Sequence, residues 1–213
     1  MINEKEVSYS TTNSYSTLHE RSDKTKNVWV VFHGIGYLSR YFLKYFRHLN
    51  HEENYIIAPQ APSKYYLDGK YEHVGASWAT RENTETEMEN VMSYLDEIYE
   101  KEALKNAENL VLFGYSQGVS IASRWVARRK LNPSQLIFHS GRVPQEIEPK
   151  DLQHLQNCRT SFVYGTEDPF IKEEFLQTEK ERLKILFPDR LEFLPFDGGH
   201  EVNKEIIQKL AGE

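Results

Sequence analysis

A serine with glycines two residues away on either side lies at the centre of the sequence G-Y-S-Q-G, residues 114–118. An apolar run precedes this sequence and an amphipathic segment follows it, so Ser116 falls between a predicted strand and a predicted helix. Such a turn forces the serine into an unfavourable backbone conformation and lifts its hydroxyl above the sheet, while Gly114 and Gly118 leave room for close packing. The pattern predicts a nucleophile elbow with Ser116 as the nucleophile. The alternative is a tight turn without chemistry.

A serine hydroxyl is a weak nucleophile and needs a neighbouring base. After such an elbow, the acid and then the histidine are expected later in the chain. His200 follows the last apolar run in F-D-G-G-H-E, and Asp168 follows the preceding run in G-T-E-D-P-F. Glu167 and Asp197 are competing acids, but Asp168 has the expected offset after its strand. We therefore expect Asp168 to orient His200, with a turn-forming Asp168 and a loop-capping His200 as the alternatives.

A developing oxyanion needs hydrogen-bond donors. The N-terminus of the helix after Ser116 supplies the backbone N–H of Gln117. The sequence H-G-I-G, residues 33–36, follows an earlier strand and bends sharply enough to supply a second donor. We predict the N–H of Ile35 as that donor, with Gly36 as the close alternative. One such donor typically contributes ~3 kcal/mol in the transition state.

The other histidines have less chemical support. We expect His33 to brace the glycine-containing loop, and His139 to be a structural histidine at the end of its strand. His48 and His51 lie at a predicted helix end without carboxylates at ligand spacing. The sequence therefore predicts no metal site and no cofactor.

The segments that must position these residues alternate between two patterns. Apolar residues at nearly every position are typical of strands buried on both faces, as in a parallel sheet. Amphipathic segments between them place apolar residues on one helical face. The apolar runs are residues 28–33, 55–59, 110–114, 135–140, 161–165 and 191–196, and the helical patterns cover 39–49, 82–100, the segment beginning near 117, 170–186 and 202–210. This alternation predicts an α/β fold with a mostly parallel, twisted sheet and helices on both faces.

The length of 213 residues suits a single domain over residues 1–213. Polar and apolar residues alternate within residues 1–20, which predicts an antiparallel hairpin at the sheet edge. The segment 140–160 has room for a short helix at 150–156 but not for a large cap domain. We therefore expect an open or shallowly covered site.

Composition excludes several classes of protein. The chain has 32 acidic and 26 basic residues, a net charge of -6, which argues against a general binder of nucleic acid or anionic membranes. No apolar stretch approaches the ~18 residues needed for stable membrane insertion.

Cys158 is the single cysteine, so no internal disulfide can form. With no secretory pattern at residues 1–10, we expect a cytoplasmic protein. The oligomeric state is not indicated.

The combined motifs resemble those of the α/β-hydrolase superfamily, and more narrowly the small carboxylesterase/phospholipase group that includes acyl-protein thioesterases and bacterial esterases. The resemblance covers roughly residues 28–210 and is carried by H-G-I-G, the pair Ser77 and Trp78, G-Y-S-Q-G, G-T-E-D and G-G-H-E. It implies an α/β-hydrolase fold, a Ser–Asp–His triad, no cofactor and hydrolysis through an acyl-enzyme. Tyr37 stands where relatives often have an acidic residue, and His139 where they more often have an apolar one.

We therefore predict a serine esterase that acts on a small-molecule ester or thioester through Ser116, His200 and Asp168. Aromatic residues in the predicted loops could form a platform for an acyl or aryl group, or could pack on the surface; they are Tyr37, Tyr65, Tyr66, Tyr71 and Trp78. A binding or regulatory protein on a hydrolase scaffold is an alternative, because fold does not fix function. A peptidase or acyltransferase with the same triad is another.

Overall fold

The computed structural model describes residues 1–212. Seven strands form one sheet in the order β1-β3-β2-β6-β7-β8-β9, and β4 and β5 form a separate two-stranded sheet. In the large sheet, only β1 is antiparallel to its neighbour. The strands are β1 (Tyr15–Leu18), β2 (Asn27–Phe32), β3 (Asn54–Pro59), β4 (Ser63–Tyr66), β5 (Val74–Ser77), β6 (Asn109–Tyr115), β7 (Gln135–His139), β8 (Arg159–Gly165) and β9 (Leu191–Phe196).

Helices cover both faces of the large sheet, as the sequence predicted. The α-helices are α1 (Ser39–Phe42), α2 (Thr84–Lys101), α3 (Gln117–Arg129), α4 (Glu173–Leu186) and α5 (Lys204–Ala211), and 3-10 turns occupy Leu43–Tyr45, Leu104–Asn106 and Pro149–Leu152. Residues of α2, α3 and α4 belong to one core, and residues of α1 and α5 belong to the core on the opposite face.

The central strand β2 shows why the apolar runs are continuous. Val28 and Val30 pack into the first core, whereas Trp29 and Val31 pack into the second. Successive side chains of a strand point to opposite faces, so a strand covered on both faces must be apolar at every position. This arrangement confirms the six predicted strands and the mostly parallel sheet.

Of the predicted N-terminal edge hairpin, the structure contains one antiparallel edge strand, β1, and no second strand before it. Residues 1–14 contain no regular secondary structure, and β1 pairs with β3, with Tyr15 opposite Pro59. Val7 and Tyr9 are 85% and 83% exposed, so the alternating segment buries too little apolar surface to form a strand. The chain meets the end of β3 at Asn13 and Ser14, where the Asn13 side chain donates to the carbonyl of Gln60 at 2.7 Å and the Gln60 N–H donates to the carbonyl of Ser14 at 3.2 Å.

Other predicted boundaries also changed. The amphipathic pattern at 39–49 forms the short α1 followed by a 3-10 turn, and the helix expected at 150–156 is a 3-10 turn over Pro149–Leu152.

Within residues 1–212, no element between β7 and β8 is larger than that turn, which agrees with the predicted lack of a large cap. No helix in this part of the chain is both long and apolar enough to cross a bilayer. Glu213, the last residue of the predicted domain, lies outside the described residues.

The β4–β5 hairpin was not predicted from the sequence. It lies against the loop after β2, because the Gly36 N–H donates to the carbonyl of Ala76 at 2.9 Å. The contact is close enough that a Cβ on Gly75 would lie 2.6 Å from the Gly36 carbonyl oxygen. The hairpin therefore fixes the backbone of the H-G-I-G loop.

Candidate active site

The turn between β6 and α3 holds Ser116 in a strained conformation, with φ 52° and ψ -116°. A non-glycine residue rarely adopts a positive φ, and such strain is typical of functional turns. The turn is tight because a Cβ on Gly114 would lie 2.6 Å from the Gly118 oxygen, and one on Gly118 would lie 2.1 Å from the Phe32 oxygen. Both glycines of the G-x-S-x-G sequence are thus required by packing.

Three side chains from separate strand ends meet at this turn. The Oγ of Ser116 lies 3.0 Å from Nε2 of His200, and Nδ1 of His200 lies 2.7 Å from Oδ2 of Asp168. The Asp168 side chain is fully buried, and its Oδ1 accepts a hydrogen bond from the Phe170 N–H at 2.9 Å. An acid held in this way fixes the tautomer of the imidazole, so that Nε2 faces the serine hydroxyl.

The competing acids lie elsewhere. Glu167 and Asp197 are exposed, and within the described residues neither carboxylate is bonded to His200. The backbone N–H of Glu167 instead donates to the carbonyl of Gly198 at 2.9 Å. This bond joins the loop that carries Asp168 to the loop that carries His200.

Two aromatic residues surround the His200 imidazole. The Tyr115 hydroxyl donates to the backbone carbonyl of His200 at 2.8 Å, and the Phe170 ring meets the imidazole edge-on at 4.9 Å between centroids. Burial raises the pKa of Tyr115 above its usual value, so this hydroxyl keeps the proton that it donates. His200 is therefore held on its backbone as well as through Asp168.

His139 is fully buried beside this loop. Burial lowers the pKa of His139 to about 3, with a smaller effect from the charge of His200, so its imidazole is neutral near pH 7. Nε2 accepts a hydrogen bond from the Asn203 N–H at 3.1 Å. Nδ1 must then carry the proton, which it donates to the Ser140 Oγ at 3.0 Å. His139 is thus satisfied by protein groups, as expected for a structural histidine.

His33 braces the loop after β2 in the same manner. Burial lowers the pKa of His33 to about 4. Nε2 accepts the Ala61 N–H at 3.2 Å, and Nδ1 donates to the Gly34 carbonyl at 2.7 Å. The carbonyl of His33 itself accepts from the indole of Trp78 at 2.8 Å. These contacts account for a histidine in the H-G-I-G sequence without assigning it a proton-transfer role.

The two candidates for the second oxyanion donor differ in their bonding. The Gly36 N–H is occupied by the carbonyl of Ala76, as described above. Ile35 and Gln117 both line the cleft at Ser116, and no residue within 1–212 accepts a hydrogen bond from the backbone N–H of either. The side-chain amide of Gln117 has other partners, because its Oε1 accepts from the Trp78 N–H at 3.0 Å and its Nε2 donates to the Ala79 carbonyl at 2.9 Å.

An open cleft of about 850 Å³ surrounds Ser116 and His200. Most of its wall is neutral and includes several apolar side chains, namely Ile35, Tyr37, Tyr115, Pro169, Phe170, Ile171 and Phe175. Arg142 and Lys172 also line it. The aromatic residues for which a platform or surface packing was considered divide between different environments. Tyr37 lines the cleft, Tyr65, Tyr66 and Tyr71 do not, and Trp78 is completely buried.

A group of potential metal ligands that the sequence did not suggest lies away from the cleft. Ligand atoms of Asp68, Glu72 and His73 lie within 4.8 Å of one another in the turn between β4 and β5. Nδ1 of His73 lies 2.9 Å from Oδ2 of Asp68. Glu72 and His73 are exposed and Asp68 is half-buried, and such surface groups commonly form without an ion.

The fold has clear counterparts among solved structures. Acyl-protein thioesterase 2 from Zea mays superposes with a TM-score of 0.70 at 15% identity, covering 94% of this chain and 97% of that one. A carboxylesterase from Mesorhizobium loti superposes with a TM-score of 0.70 at 17% identity, covering 93% and 94%. The Bacillus cereus carboxylesterase gives 0.66 at 17% identity, covering 94% and 92%. The chain has no significant match among curated protein sequences.

These superpositions show that the chain has an α/β-hydrolase fold. The sequence pattern of one family within that fold also matches residues 13–212, which is nearly the whole chain. That family is described as phospholipase/carboxylesterase. This protein is therefore a member of the phospholipase/carboxylesterase family of α/β-hydrolases.

Proposed function

We propose that this protein is a serine hydrolase that cleaves a carboxylic ester or thioester through an acyl-enzyme, with Ser116, His200 and Asp168 as its triad. The observation that carries the proposal is the pair of contacts of His200, at 3.0 Å to the Ser116 Oγ and at 2.7 Å to the Asp168 Oδ2. Membership of an esterase family supports it. So do the names of its structural neighbours, which include a thioesterase and carboxylesterases.

In the proposed reaction, the Ser116 Oγ attacks the substrate carbonyl carbon and gives its proton to Nε2 of His200. Asp168 stabilises the imidazolium that forms. The bond from the carbonyl carbon to the leaving oxygen or sulfur then breaks, and the leaving group takes the proton from His200. Water next gives a proton to His200 and attacks the acyl-enzyme, which releases the acid and restores the serine.

We propose the backbone N–H groups of Ile35 and Gln117 as the oxyanion hole. Both groups line the cleft with no protein acceptor within residues 1–212, whereas the Gly36 N–H is already bonded to Ala76. The Gln117 N–H also lies at the positive end of the α3 dipole. Donors that are fixed before the reaction stabilise the developing charge without reorganisation.

A panel of p-nitrophenyl esters and acyl thioesters of different chain length tests this proposal. The wild-type protein should hydrolyse at least part of the panel, and Ser116→Ala should abolish that turnover. Ser120→Ala is a matched control, because Ser120 lines the same cleft one turn further along α3. Equal turnover by Ser116→Ala, or no turnover of any substrate by the wild type, would contradict the proposal. Product analysis with competing alcohols distinguishes hydrolysis from acyl transfer.

A further inference from the structure

The charge of the cleft differs from the charge of the whole chain. The protein has 32 acidic and 26 basic residues. Among the described residues that line the cleft, Arg142 and Lys172 are cationic and none is acidic. Asp168 is the acid of the site, but its carboxylate is buried and bonded to His200. The cleft therefore presents positive charge next to Ser116 on a protein that is negative overall.

We propose that this cleft selects esters or thioesters that carry a second, negatively charged group, a carboxylate or a phosphate, which Arg142 and Lys172 bind. The inference rests on the proposed hydrolase function of the same cleft. It adds to that function a substrate class and two residues that determine specificity.

The two cations both line the cleft near the start of α4. The Arg142 guanidinium packs over the ring of Phe175, 4.2 Å from its centroid. Phe175 lies in the first turn of α4, and Lys172 is the N-cap of the same helix. Arg142 therefore lies against the first turn of the helix that Lys172 precedes.

The backbone next to Arg142 is packed against the proposed nucleophile. A Cβ on Gly141 would lie 2.4 Å from the backbone oxygen of Ser116, so these two backbones are in contact. Arg142, the next residue, therefore lines the same cleft as the Ser116 Oγ. We expect an anionic group a few bonds from the scissile carbonyl to reach Arg142 or Lys172.

Neither cation is used in a salt bridge within residues 1–212. Nearby arginines of the same surface do have such partners, since Arg124 pairs with Glu146 and Arg182 approaches Glu179. Glu173 and Glu174, in the first turn of α4, are exposed and do not line the cleft. The charge of Arg142 acts on the buried Glu179 carboxylate and favours its ionised form, but neither Arg142 nor Lys172 forms an ion pair with a described residue, so both can bind a ligand. Arginine in particular matches the planar geometry of a carboxylate or phosphate.

Hydrogen bonds from α4 hold the loop that carries Arg142. The buried carboxylate of Glu179 accepts the Val143 N–H at 3.1 Å, and the Arg182 guanidinium donates to the Val143 carbonyl at 2.8 Å. With Gly141 packed on one side and Val143 bonded on the other, the backbone of Arg142 is fixed before substrate binds. A fixed position reduces the ordering cost of binding an anion.

The experiment compares related esters with and without an anionic group. Mono-p-nitrophenyl glutarate and p-nitrophenyl pentanoate test an anion on the acyl side. The acetates of 4-hydroxybenzoate and of its methyl ester test an anion on the leaving side, and 4-acetoxyphenyl phosphate tests a phosphate. We expect the wild type to have a higher kcat/KM for the charged member of at least one pair. Arg142→Gln and Lys172→Gln should each lower the ratio of the two kcat/KM values, charged ester over neutral ester, about tenfold, mainly by raising the KM of the charged ester.

Lys184→Gln is the matched control, because Lys184 is an exposed lysine of α4 that does not line the cleft. It should leave the ratio of the two rates unchanged, whereas raising the salt from 50 to 500 mM should lower the wild-type ratio. Hydrolysis of the neutral esters without any preference for charge, or a preference that survives both substitutions, would overturn this inference and leave the hydrolase proposal intact.

A second measurement does not depend on turnover. Calorimetric titration of Ser116→Ala with mono-p-nitrophenyl glutarate should show binding that Arg142→Gln weakens about tenfold. Equal binding of the glutarate and pentanoate esters to Ser116→Ala would count against the inference. If the wild type hydrolyses no ester at all, the hydrolase function itself is wrong, and this titration still reports separately on the anion site.

Discussion

The imidazole of His139 accepts a hydrogen bond from the backbone N–H of Asn203 at 3.1 Å, three residues after His200. The same ring donates to Ser140 and packs against Tyr115 at 5.6 Å between centroids. It therefore joins the end of β7 to the loop that carries the proposed base. Asn203 is also the N-cap of α5, where its side chain accepts the Ile206 N–H at 2.8 Å. One buried ring thus fixes both the His200 loop and the start of the last helix.

Replacing His139 should impair the reaction through the position of His200. We expect His139→Leu to lower kcat about 10- to 100-fold with a smaller change in KM, because small displacements of a reacting group are costly. His139→Gln keeps an acceptor and a donor and should recover part of that loss. Steady-state kinetics on a p-nitrophenyl ester measures both. An unchanged kcat in His139→Leu would mean that the ring does not position His200.

The two buried histidines should make the protein less stable as the pH falls. The pKa of His33 is lowered to about 4 and that of His139 to about 3, both by burial, whereas the unfolded value is near 6.5. Below pH 6.5 the unfolded state binds protons that the folded state does not, so the free energy of unfolding decreases with falling pH until the folded pKa is reached. Each histidine should remove about 2 kcal/mol between pH 7.5 and pH 5.

Urea unfolding at a series of pH values measures this effect, and His139→Gln is the control for it. The variant should show a smaller decrease in the free energy of unfolding over the same range, by about 2 kcal/mol. The same pH dependence in both proteins would show that His139 is not buried in its neutral form.

Asp168 should be the acid on which the rate depends. Asp168→Asn leaves the shape of the site but removes the acceptor that fixes the His200 tautomer, so we expect kcat to fall about 10³- to 10⁴-fold. Asp197→Asn should retain nearly full activity, because Asp197 is exposed and not bonded to His200. The reverse order of effects would show that the acid is misassigned.

Gly118 should not tolerate even the smallest side chain. Alanine is favoured over glycine in a helix by about 1 kcal/mol. Here, however, the added Cβ would lie 2.1 Å from the Phe32 carbonyl oxygen, a backbone contact that cannot be relieved by rotating a side chain. The steric term should dominate, and Gly118→Ala should lose about 2 kcal/mol or more of unfolding free energy.

Gly69→Ala provides the comparison for Gly118→Ala, since a Cβ at Gly69 would meet no atom within 4 Å. Its free energy of unfolding, measured in the same denaturant titration, should stay close to that of the wild type. If Gly118→Ala were as stable as Gly69→Ala, α3 would not pack as closely against β2 at the nucleophile turn as the structure shows.

Local sequence predicted the strands and the proposed triad because each depends on a short pattern. Strands covered on both faces need apolar residues throughout, and the turn at Ser116 needs glycines at two fixed positions. Asp168 and His200 follow the last two strands of the large sheet. Because β6, β8 and β9 run parallel, both residues lie at the carboxyl-terminal end of the sheet, as Ser116 does. The roles of these residues in catalysis remain predictions.

Features that depend on contacts between distant residues could not be predicted. Nothing in the sequence around His139 indicates that its acceptor nitrogen meets the N–H of Asn203, 64 positions later. The β4 strand contains charged and aromatic residues without a core-facing pattern, and the hairpin is held by contacts with distant residues, including the bond from the Gly36 N–H to Ala76 and the bond from the Gln117 side chain to Ser77. The alternation near Val7 and Tyr9 resembled a strand, but both side chains remain mostly exposed.

The most direct test of the proposed function is covalent labelling of the protein with a fluorophosphonate, followed by mass spectrometry of its peptides. Such probes react with a serine only when a neighbouring base activates it. We predict a single stoichiometric adduct on Ser116, which is absent in Ser116→Ala and strongly slowed in a variant with His200→Ala. No adduct on the wild type, or an adduct of equal yield in Ser116→Ala, would contradict the assignment of Ser116 as the activated nucleophile.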